Sequence, residues 1–209
     1  MNASPPDDRA AHWQSVYQAK QENEVSWFQE RPQISLDLIE ATGMPADAAI
    51  LDVGGGESRL VDALLEQGRA NVSVLDLSSR ALEVARQRIG DRARDVKWIV
   101  GDATAWQPTE RYDIWHDRAA FHFLVEQADR QAYMERLRAA LSSGGQVIIG
   151  TFAPHGPEKC SGLPVMRHDE QSLAKELGED FELEEARPHE HRTPGGNVQH
   201  FQFSRFRRR

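Results

Sequence analysis

The sequence is poor in the features that mark several special classes of protein. It contains a single cysteine, Cys160, so no internal disulfide can form and a reducing compartment is expected. No apolar run approaches the ~20 residues that a membrane helix needs, and residues 1–11 lack the apolar core of a signal peptide. These absences predict a cytoplasmic protein that does not enter a membrane.

Positive charge is also scarce. The formal net charge is −8, and the one dense basic segment is the tail Arg205–Arg209. Because nucleic-acid binding requires basic surfaces that neutralise phosphates, we expect no nucleic-acid partner. The tail is interpreted as a solvated terminus, with contact to an acidic partner as the alternative. A chain of 209 residues fits one domain, and the expected assembly is a monomer or a homodimer.

Short apolar runs alternate with amphipathic helices from residue 46 onward. The predicted strands are 49–53, 72–76, 96–100, 112–115, 146–152, 181–184 and 198–206, and the predicted helices between them are 59–66, 79–89, 129–141 and 169–177. This alternation predicts an α/β fold with a doubly wound, mostly parallel seven-stranded sheet and an antiparallel C-terminal edge strand. Residues 1–45, with predicted helices at 10–20 and 33–42, are expected to form an N-terminal helical lid on the domain 46–209.

Three consecutive glycines, Gly54–Gly56, end the first predicted strand just after Asp52. Glycine has no Cβ, so such a loop can turn tightly and approach a ligand closely. The dinucleotide fingerprint G-x-G-x-x-G would require a third glycine at position 59, which is Arg59. A phosphate loop of the G-x-x-x-x-G-K type is also absent. The loop therefore argues against NAD and FAD, and taken alone it equally fits a plain turn.

Acidic residues follow the next two strands. Asp76 lies 20 residues after Gly56 at a strand end, where a carboxylate can accept hydrogen bonds from both hydroxyls of a ribose. Asp102 follows the third strand and could accept from an exocyclic amine such as that of adenine. Each acid alone could cap a helix or lie in a loop. Together with the glycine loop they predict a site for a nucleoside without phosphate, because no Lys or Arg is placed to hold one.

The order LDVGGGES, VLDLS and GDA resembles class I S-adenosylmethionine-dependent methyltransferases over about residues 48–152. The resemblance implies a Rossmann-like methyltransferase fold and S-adenosylmethionine as cofactor. It also implies that the glycine loop passes under the methionine part, that Asp76 binds the ribose and that Asp102 lies near the adenine. The cofactor-binding residues expected on this basis are Trp13, Asp52, Gly54, Gly55, Gly56, Ser58, Asp76, Leu77, Asp102 and Ala103.

A narrower resemblance extends beyond the cofactor motifs. Segments 13–14, 25–29, 117–121 and 129–133, together with Glu190-His191-Arg192, resemble the thiopurine S-methyltransferase group and its thiol- and halide-methylating relatives. This resemblance implies that the methyl acceptor is a small, polarisable nucleophile, and sulfur is the first candidate for the accepting atom. The sequence departs from the group at Ala119, where the family has glycine, and segment 160–164 has no close match.

The acceptor is expected just past the fourth strand. We predict that Asp117, Arg118 and His122 orient it, with a purely structural Asp117–Arg118 ion pair as the alternative. A thiol ionises readily and hardly needs a general base, and a nearby cation lowers its pKa. No Asn-Pro-Pro-aromatic sequence follows this strand, so methylation of a nucleic-acid base loses support. A protein lysine methyltransferase and a non-catalytic cofactor binder remain as alternatives.

Aromatic residues precede the core, and histidines are frequent. Trp13, Tyr17, Trp27 and Phe28 predict either a lid, in which a sulfonium lies over an aromatic face, or a hydrophobic staple for the first helix. His116 and His122 are six residues apart, which is not a spacing of helical metal ligands. His189 and His191 are two apart on a strand and could chelate a metal or contact substrate, but they are interpreted as a solvated strand edge. We therefore expect no metal and interpret Cys160 as an incidental thiol.

Overall fold

The computed structural model describes residues 6–209, which form six α-helices and nine strands. The helices are α1 Pro6–Ala19, α2 Gln33–Ala41, α3 Leu60–Glu66, α4 Ser79–Ile89, α5 Gln127–Ala140 and α6 Glu170–Leu177. The strands are β1 Ile50–Val53, β2 Val72–Asp76, β3 Val96–Val100, β4 Tyr112–Arg118, β5 Leu141–Phe152, β6 Lys159–Cys160, β7 Leu163–Pro164, β8 Phe181–Arg192 and β9 Val198–Arg208. Short 3-10 turns lie at Glu22–Glu24, Gly90–Asp95 and Phe121–Phe123.

Seven of these strands form one sheet in the order β3-β2-β1-β4-β5-β9-β8. The first five strands in this order, from β3 through β2, β1 and β4 to β5, pair in parallel. β9 runs antiparallel to both β5 and β8. The predicted mostly parallel sheet with an antiparallel C-terminal closure is confirmed. The edge itself is β8, and the small hairpin of β6 and β7 was not predicted.

Two hydrophobic clusters cover opposite faces of the sheet. One contains Leu51, Trp115 and Ile149 of the strands with side chains of α5 and α6. The other contains Ile50 and Ile148 with side chains of α2, α3 and α4. Neighbouring residues of β1 thus face opposite layers and are buried on both, because successive side chains of a strand alternate. The predicted doubly wound arrangement is confirmed.

Three strands are longer than their apolar pattern predicts. β4 continues to Arg118, so Asp117 and Arg118 belong to the strand rather than to the loop after it. β5 begins at Leu141, directly after α5, and β8 continues to Arg192. The extra residues are largely polar. Asp117 and Arg118 pair with β5, and the extra residues of β8 pair with β9. Hydrophobic periodicity does not report such backbone pairing.

The first helix crosses the carboxyl ends of the central strands. The Gln14 amide accepts from the Ser78 hydroxyl and donates to Ser79 Oγ at 3.0 Å, which fixes α1 beside the start of α4. This segment lies over the crevice where β1 has β2 on one side and β4 on the other, the usual ligand position in such sheets. The lid role of residues 1–45 remains a prediction, and its first five residues lie outside the described range. Within residues 6–209, no helix combines the length and apolarity required to cross a bilayer.

Candidate active site

One cavity lies beneath α1 at the carboxyl ends of β1, β2 and β4, and it brings together most of the predicted site. Eleven of the thirteen predicted residues line it: Trp13, Asp52, Gly54, Gly55, Ser58, Asp76, Leu77, Asp102, Ala103, Arg118 and His122. Gly56 and Asp117 lie behind this lining. The cofactor and acceptor candidates therefore share one continuous space.

The glycine loop is packed from behind as well as open to the cavity. Gly54 and Gly56 have φ values of +66° and +48°, in the left-handed region that side chains disfavour. A Cβ on Gly54 would lie 2.5 Å from Cβ of Ala120, and one on Gly55 would lie 2.5 Å from Cγ1 of Val74. The loop can therefore hold this path only without side chains.

Asp52 is held by a buried hydrogen-bond chain. Its Oδ1 lies 2.7 Å from Nδ1 of His116, whose Nε2 lies 2.9 Å from Oγ of Ser35. All three side chains are buried. His116 thus positions the carboxylate at the start of the glycine loop, a role that the sequence pattern did not indicate.

Asp76 is buried where the second strand meets the cavity. Its Oδ1 accepts a hydrogen bond from the backbone N–H of Ser78 at 2.7 Å. Burial raises the pKa of this carboxyl to about 7, with smaller contributions of the same sign from Asp52 and Glu57. No cation lies within 4.0 Å among the side chains described from Asp8 onward. Ser78 also caps α4 by accepting from Ala81 N, which leaves Asp76 available to a ligand.

Asp102 follows β3, the strand beside that of Asp76, and contacts the first helix. Its Oδ1 accepts from the backbone and hydroxyl of Thr104, and its Oδ2 lies 2.9 Å from Nη2 of Arg9. Arg9 also pairs with Asp129 at 3.4 Å. The guanidinium therefore links α1 to the ends of β3 and to the start of α5.

Four aromatic rings meet at the cavity wall. The ring centroid of Trp13 lies 6.2 Å from Tyr17, 5.9 Å from Trp27 and 4.9 Å from Phe123. All four line the cavity. Phe28 does not, and packs instead under the guanidinium of Arg59 at 5.4 Å. The aromatic cluster packs against the first helix and faces the cavity, and its role as a lid over a bound cofactor stays a prediction.

Asp117 does not reach the cavity, which corrects its expected contact with an acceptor. It is fully buried, and its carboxylate accepts from the backbone N–H groups of Ala120 and Phe121 and from the Tyr133 hydroxyl at 2.7 Å. Burial raises its pKa to about 6, while these hydrogen bonds act in the opposite direction. Because its oxygens are occupied by the turn that follows β4, Asp117 shapes the acceptor wall from behind.

Arg118 lines the cavity without a carboxylate partner. Its Nη1 donates to the backbone oxygen of Trp27 at 2.9 Å, and no ion pair forms with Asp117 or with any other side chain described from Asp8 onward. Burial lowers the pKa of the guanidinium, which nevertheless stays charged at neutral pH. Burial lowers the pKa of His189 and His191, and the charge of Arg118 lowers both further by a smaller amount. This end of the cavity therefore carries one positive charge, which the nearby carboxylate of Asp52 partly offsets.

His122 lies deeper at the same end. Burial, followed by the neighbouring His168, lowers its pKa to about 3, so the ring is neutral at physiological pH. His191, two residues after His189, is buried and bonds through Nε2 to the backbone oxygen of Ser26 at 2.7 Å. Within residues 6–209, no group of three or more His, Cys, Asp or Glu side chains is arranged to hold a metal.

Several cavity residues were missed by the sequence analysis. They are Arg9 from α1 and, at the acceptor end, Phe123, Phe152, Cys160, Gln199 and Phe201. Burial raises the pKa of the Cys160 thiol, so it is protonated at neutral pH. The alternation of apolar and polar residues along β9 was the only available signal for Phe201, and it did not show which strand would lie beside it.

Comparison with known proteins agrees with this geometry. Residues 50–145 match the family model described as a methyltransferase domain. A trans-aconitate 2-methyltransferase from Rhizobium etli is 31% identical over 121 residues, covering 57% of this chain and 44% of that protein. The chain therefore spans less than half the length of this curated relative.

Solved structures match the whole chain in fold. One similar structure comes from work on the conversion of a disulfide bond into a thioacetal group during echinomycin biosynthesis. It has a TM-score of 0.74 and 22% identity, covering 96% of this chain and 93% of that one. The 1,6-didemethyltoxoflavin N1-methyltransferase of Burkholderia thailandensis, crystallised with its substrate and S-adenosylhomocysteine, has a TM-score of 0.73 and 23% identity, covering 100% and 92%. At these identities the likeness establishes the Rossmann-like methyltransferase fold.

Proposed function

We propose that this chain, of which residues 50–145 match a methyltransferase-domain model, is a class I S-adenosylmethionine-dependent methyltransferase. It would transfer a methyl group from S-adenosylmethionine to a small nucleophile, most favourably a sulfur nucleophile. The observation that carries the proposal is the meeting of Asp76, the glycine loop and the guanidinium of Arg118 in one cavity. The chain spans only part of its curated relatives, so their substrates serve here as candidates.

The residues at the strand ends fit this cofactor. Among the side chains described from Asp8 onward, Asp76 is buried without a cation and could accept from ribose hydroxyls. Asp102, which also lines the cavity, could accept from an adenine amine, and Asp52 with Gly54–Gly56 would border the methionine part. When bound, the cofactor supplies a methyl group on a positive sulfur and a neutral leaving group. The protein must align acceptor and methyl carbon and exclude water, an orientation effect worth ~7–11 kcal/mol in favourable cases.

The acceptor end favours a nucleophile that is already ionised. Asp117 is occupied by backbone and Tyr133 hydrogen bonds, and the lowered pKa of His122 makes it a weak base. A general base must reach the acceptor and works best when its pKa lies near the operating pH. Asp117 does not line the cavity, and the pKa of His122 lies far below neutrality. Arg118 instead offers a positive charge that would stabilise a thiolate.

A carboxylate is the second candidate acceptor. The relative from Rhizobium etli acts on trans-aconitate, and Arg118 would pair with a carboxylate as readily as with a thiolate. The same charge disfavours a lysine ammonium, which must approach the methyl group as a base. A non-catalytic binder would have no need of a buried cation beside the cofactor cavity.

Transfer of a labelled methyl group would test the proposal. Purified protein is incubated with methyl-labelled S-adenosylmethionine and panels of thiols, selenols, halides, carboxylates, small amines and lysate proteins. We expect label in thiols first. Label confined to carboxylates would replace sulfur by oxygen, and label confined to lysate protein would support the lysine alternative. Absence of S-adenosylhomocysteine binding by calorimetry would overturn the proposal itself.

A further inference from the structure

Both oxygens of the Asp102 carboxylate are in contact with other groups of the protein. Oδ1 accepts from the backbone N–H and from the hydroxyl of Thr104, at 2.8 and 2.7 Å. Oδ2 lies 2.9 Å from Nη2 of Arg9, and the Asp102 side chain is only 10% exposed. Asp102 and Arg9 both line the cavity. An adenine amine that donates to Asp102 therefore has to replace one of these contacts.

The contact with Arg9 is the easier one to replace. Oδ2 of Asp102 and Nε of Arg9 are both buried, yet within the described part of the chain neither atom has a hydrogen-bond partner. Nη2 of Arg9 donates instead to Oγ1 of Thr104 at 3.3 Å, so its approach to Oδ2 is an ion pair without hydrogen-bond alignment. Because buried polar atoms are almost always hydrogen-bonded, an N–H group of a ligand would satisfy Oδ2 better once the guanidinium moves away.

Arg9 has a second carboxylate within reach. Its Nη1 lies 3.4 Å from Oδ2 of Asp129 at the start of α5, and the Asp129 side chain is 21% exposed. An arginine that leaves a buried acid without finding another partner pays a large desolvation penalty. With Asp129 beside it, the guanidinium of Arg9 can leave Asp102 and keep an ion pair.

We propose that Arg9 competes with the adenine amine for Asp102 and thereby determines how strongly the protein recognises that amine. Binding of the cofactor moves the guanidinium to Asp129, and the amine donates to the oxygen that Arg9 has left. The inference rests on the proposed function, because it takes S-adenosylmethionine as the ligand. Arg9 then lowers the affinity for the cofactor, whereas a residue that only held α1 over the cavity would raise it.

Two ligands that differ only in the amine test this competition. They are S-adenosylhomocysteine and its analogue in which hydrogen replaces the exocyclic amine of the purine, and calorimetry measures the dissociation constant of each. In the uncharged variants Arg9→Met and Arg9→Gln, S-adenosylhomocysteine should bind about two- to fivefold more tightly, which corresponds to the usual strength of a partly exposed ion pair. The affinity for the analogue should stay unchanged, so the ratio of the two affinities rises by the same factor. Arg9→Lys, which keeps the charge, should stay closer to wild type.

Two further substitutions separate the competition from a general effect of charge. Asp129→Asn removes the second partner of Arg9, so it should weaken binding of S-adenosylhomocysteine in the wild-type background and have no such effect in the Arg9→Met background. Lys20→Met removes an equal charge at an exposed position just after α1, and it should leave the ratio of the two affinities at its wild-type value.

The outcomes distinguish this inference from the proposed function. Equal weakening of both ligands in Arg9→Met would make Arg9 an anchor of α1 and overturn the competition, and so would an unchanged ratio of affinities. Failure of the wild-type protein to bind S-adenosylhomocysteine would overturn the inference and the proposed function together. The expected ratios without methyl transfer to any acceptor would count against the proposed function alone.

Discussion

Asp52 and His116 face each other across the paired strands β1 and β4, with Oδ1 of the aspartate 2.7 Å from Nδ1 of the histidine. Removing the imidazole would leave a buried carboxylate without this hydrogen bond. We expect His116→Phe to lower the free energy of unfolding by about 3 kcal/mol, measured by urea titration. Ser35→Ala, which removes only the far end of this hydrogen-bond chain, should lower the free energy of unfolding by less. Equal stability of His116→Phe and wild type would contradict this account.

Asp76 should carry much of the affinity for the cofactor. Asp76→Ala is expected to weaken binding of S-adenosylhomocysteine by roughly 1.5–3 kcal/mol, the usual worth of hydrogen bonds to a charged group, without unfolding the protein. Calorimetric titration measures this change. An unchanged dissociation constant would show that the ribose lies elsewhere.

Cofactor affinity should rise with pH through the pKa of Asp76. In the free protein burial raises that pKa to about 7, from a value near 3.9 in the unfolded chain. The contribution of Asp76 to the stability of the free protein is therefore lowest above pH 7, and it rises as the pH falls toward 4. Ribose hydroxyls donate to the ionised form, so affinity should increase about tenfold or more from pH 5.5 to 8.

Two substitutions identify the group responsible for this pH dependence. Asp76→Asn should remove most of the slope when affinity is measured at the same pH values. The control is Glu57→Gln, because the pKa of Glu57 is also raised to about 7 by burial although the residue does not line the main cavity. A slope that survives in Asp76→Asn and disappears in Glu57→Gln would move the titration to Glu57.

Arg118 should determine the pH at which the rate of thiol methylation falls on the acid side of its pH profile, called here the lower limb. Its charge favours the thiolate, so Arg118→Leu should move that limb to higher pH and Arg118→Lys should move it less. Arg192 provides the matched control, because it is exposed and, among the side chains described from Asp8 onward, its guanidinium hydrogen-bonds only to the nearby backbone oxygen of Gly196. Equal shifts for Arg118→Leu and Arg192→Leu would exclude a local effect on the thiol.

Ala119 adopts a backbone conformation that side chains disfavour, with φ of +68°. The family resemblance places glycine here, and the conformation explains why. Strain of this kind costs on the order of 1–3 kcal/mol. We expect Ala119→Gly to be neutral or slightly stabilising and Ala119→Val to cost about 2 kcal/mol or more, measured by urea unfolding. Ala186→Val, at an exposed strand position, is the control and should change little.

Metal should be unnecessary for methyl transfer. Within residues 6–209 no cluster of metal-ligating side chains occurs, and we expect activity to persist after treatment with a chelator. Loss of activity that zinc or iron restores would require His116, His122, His189 and His191 to be reconsidered as ligands.

Most residues predicted to bind the cofactor line the cavity, because their positions follow local rules, while their contact with the cofactor stays a prediction. Each acid comes directly after an apolar strand, and the carboxyl ends of parallel strands share one edge of the sheet. Asp76 and Asp102 therefore needed only correct strand ends to reach the cavity. Asp117 was misplaced because β4 continues past its apolar part to Arg118, and the alternative Asp117–Arg118 ion pair does not form among the described side chains.

The acceptor end was harder to predict because it is assembled from distant segments. Phe201 and Gln199 reach the cavity from β9, and Arg9 reaches Asp102 from α1. Their positions depend on β9 entering the sheet beside β5, and hydrophobic periodicity gives the face of a strand without its neighbour. His122 was predicted as an acceptor residue, but its neutrality follows from packing against Phe152 and His168, which only the folded chain brings together.

The position of β9 between β5 and β8 also constrains the order in which the sheet can be completed. β8 leaves the ribosome before β9, yet β9 is its only partner in the sheet. Until residues 198–208 are available, both β5 and β8 have unpaired edges, which are the features that favour aggregation. A nascent or truncated chain that stops before Val198 would therefore lose two strands rather than one, together with the wall of the acceptor end that Phe201 provides.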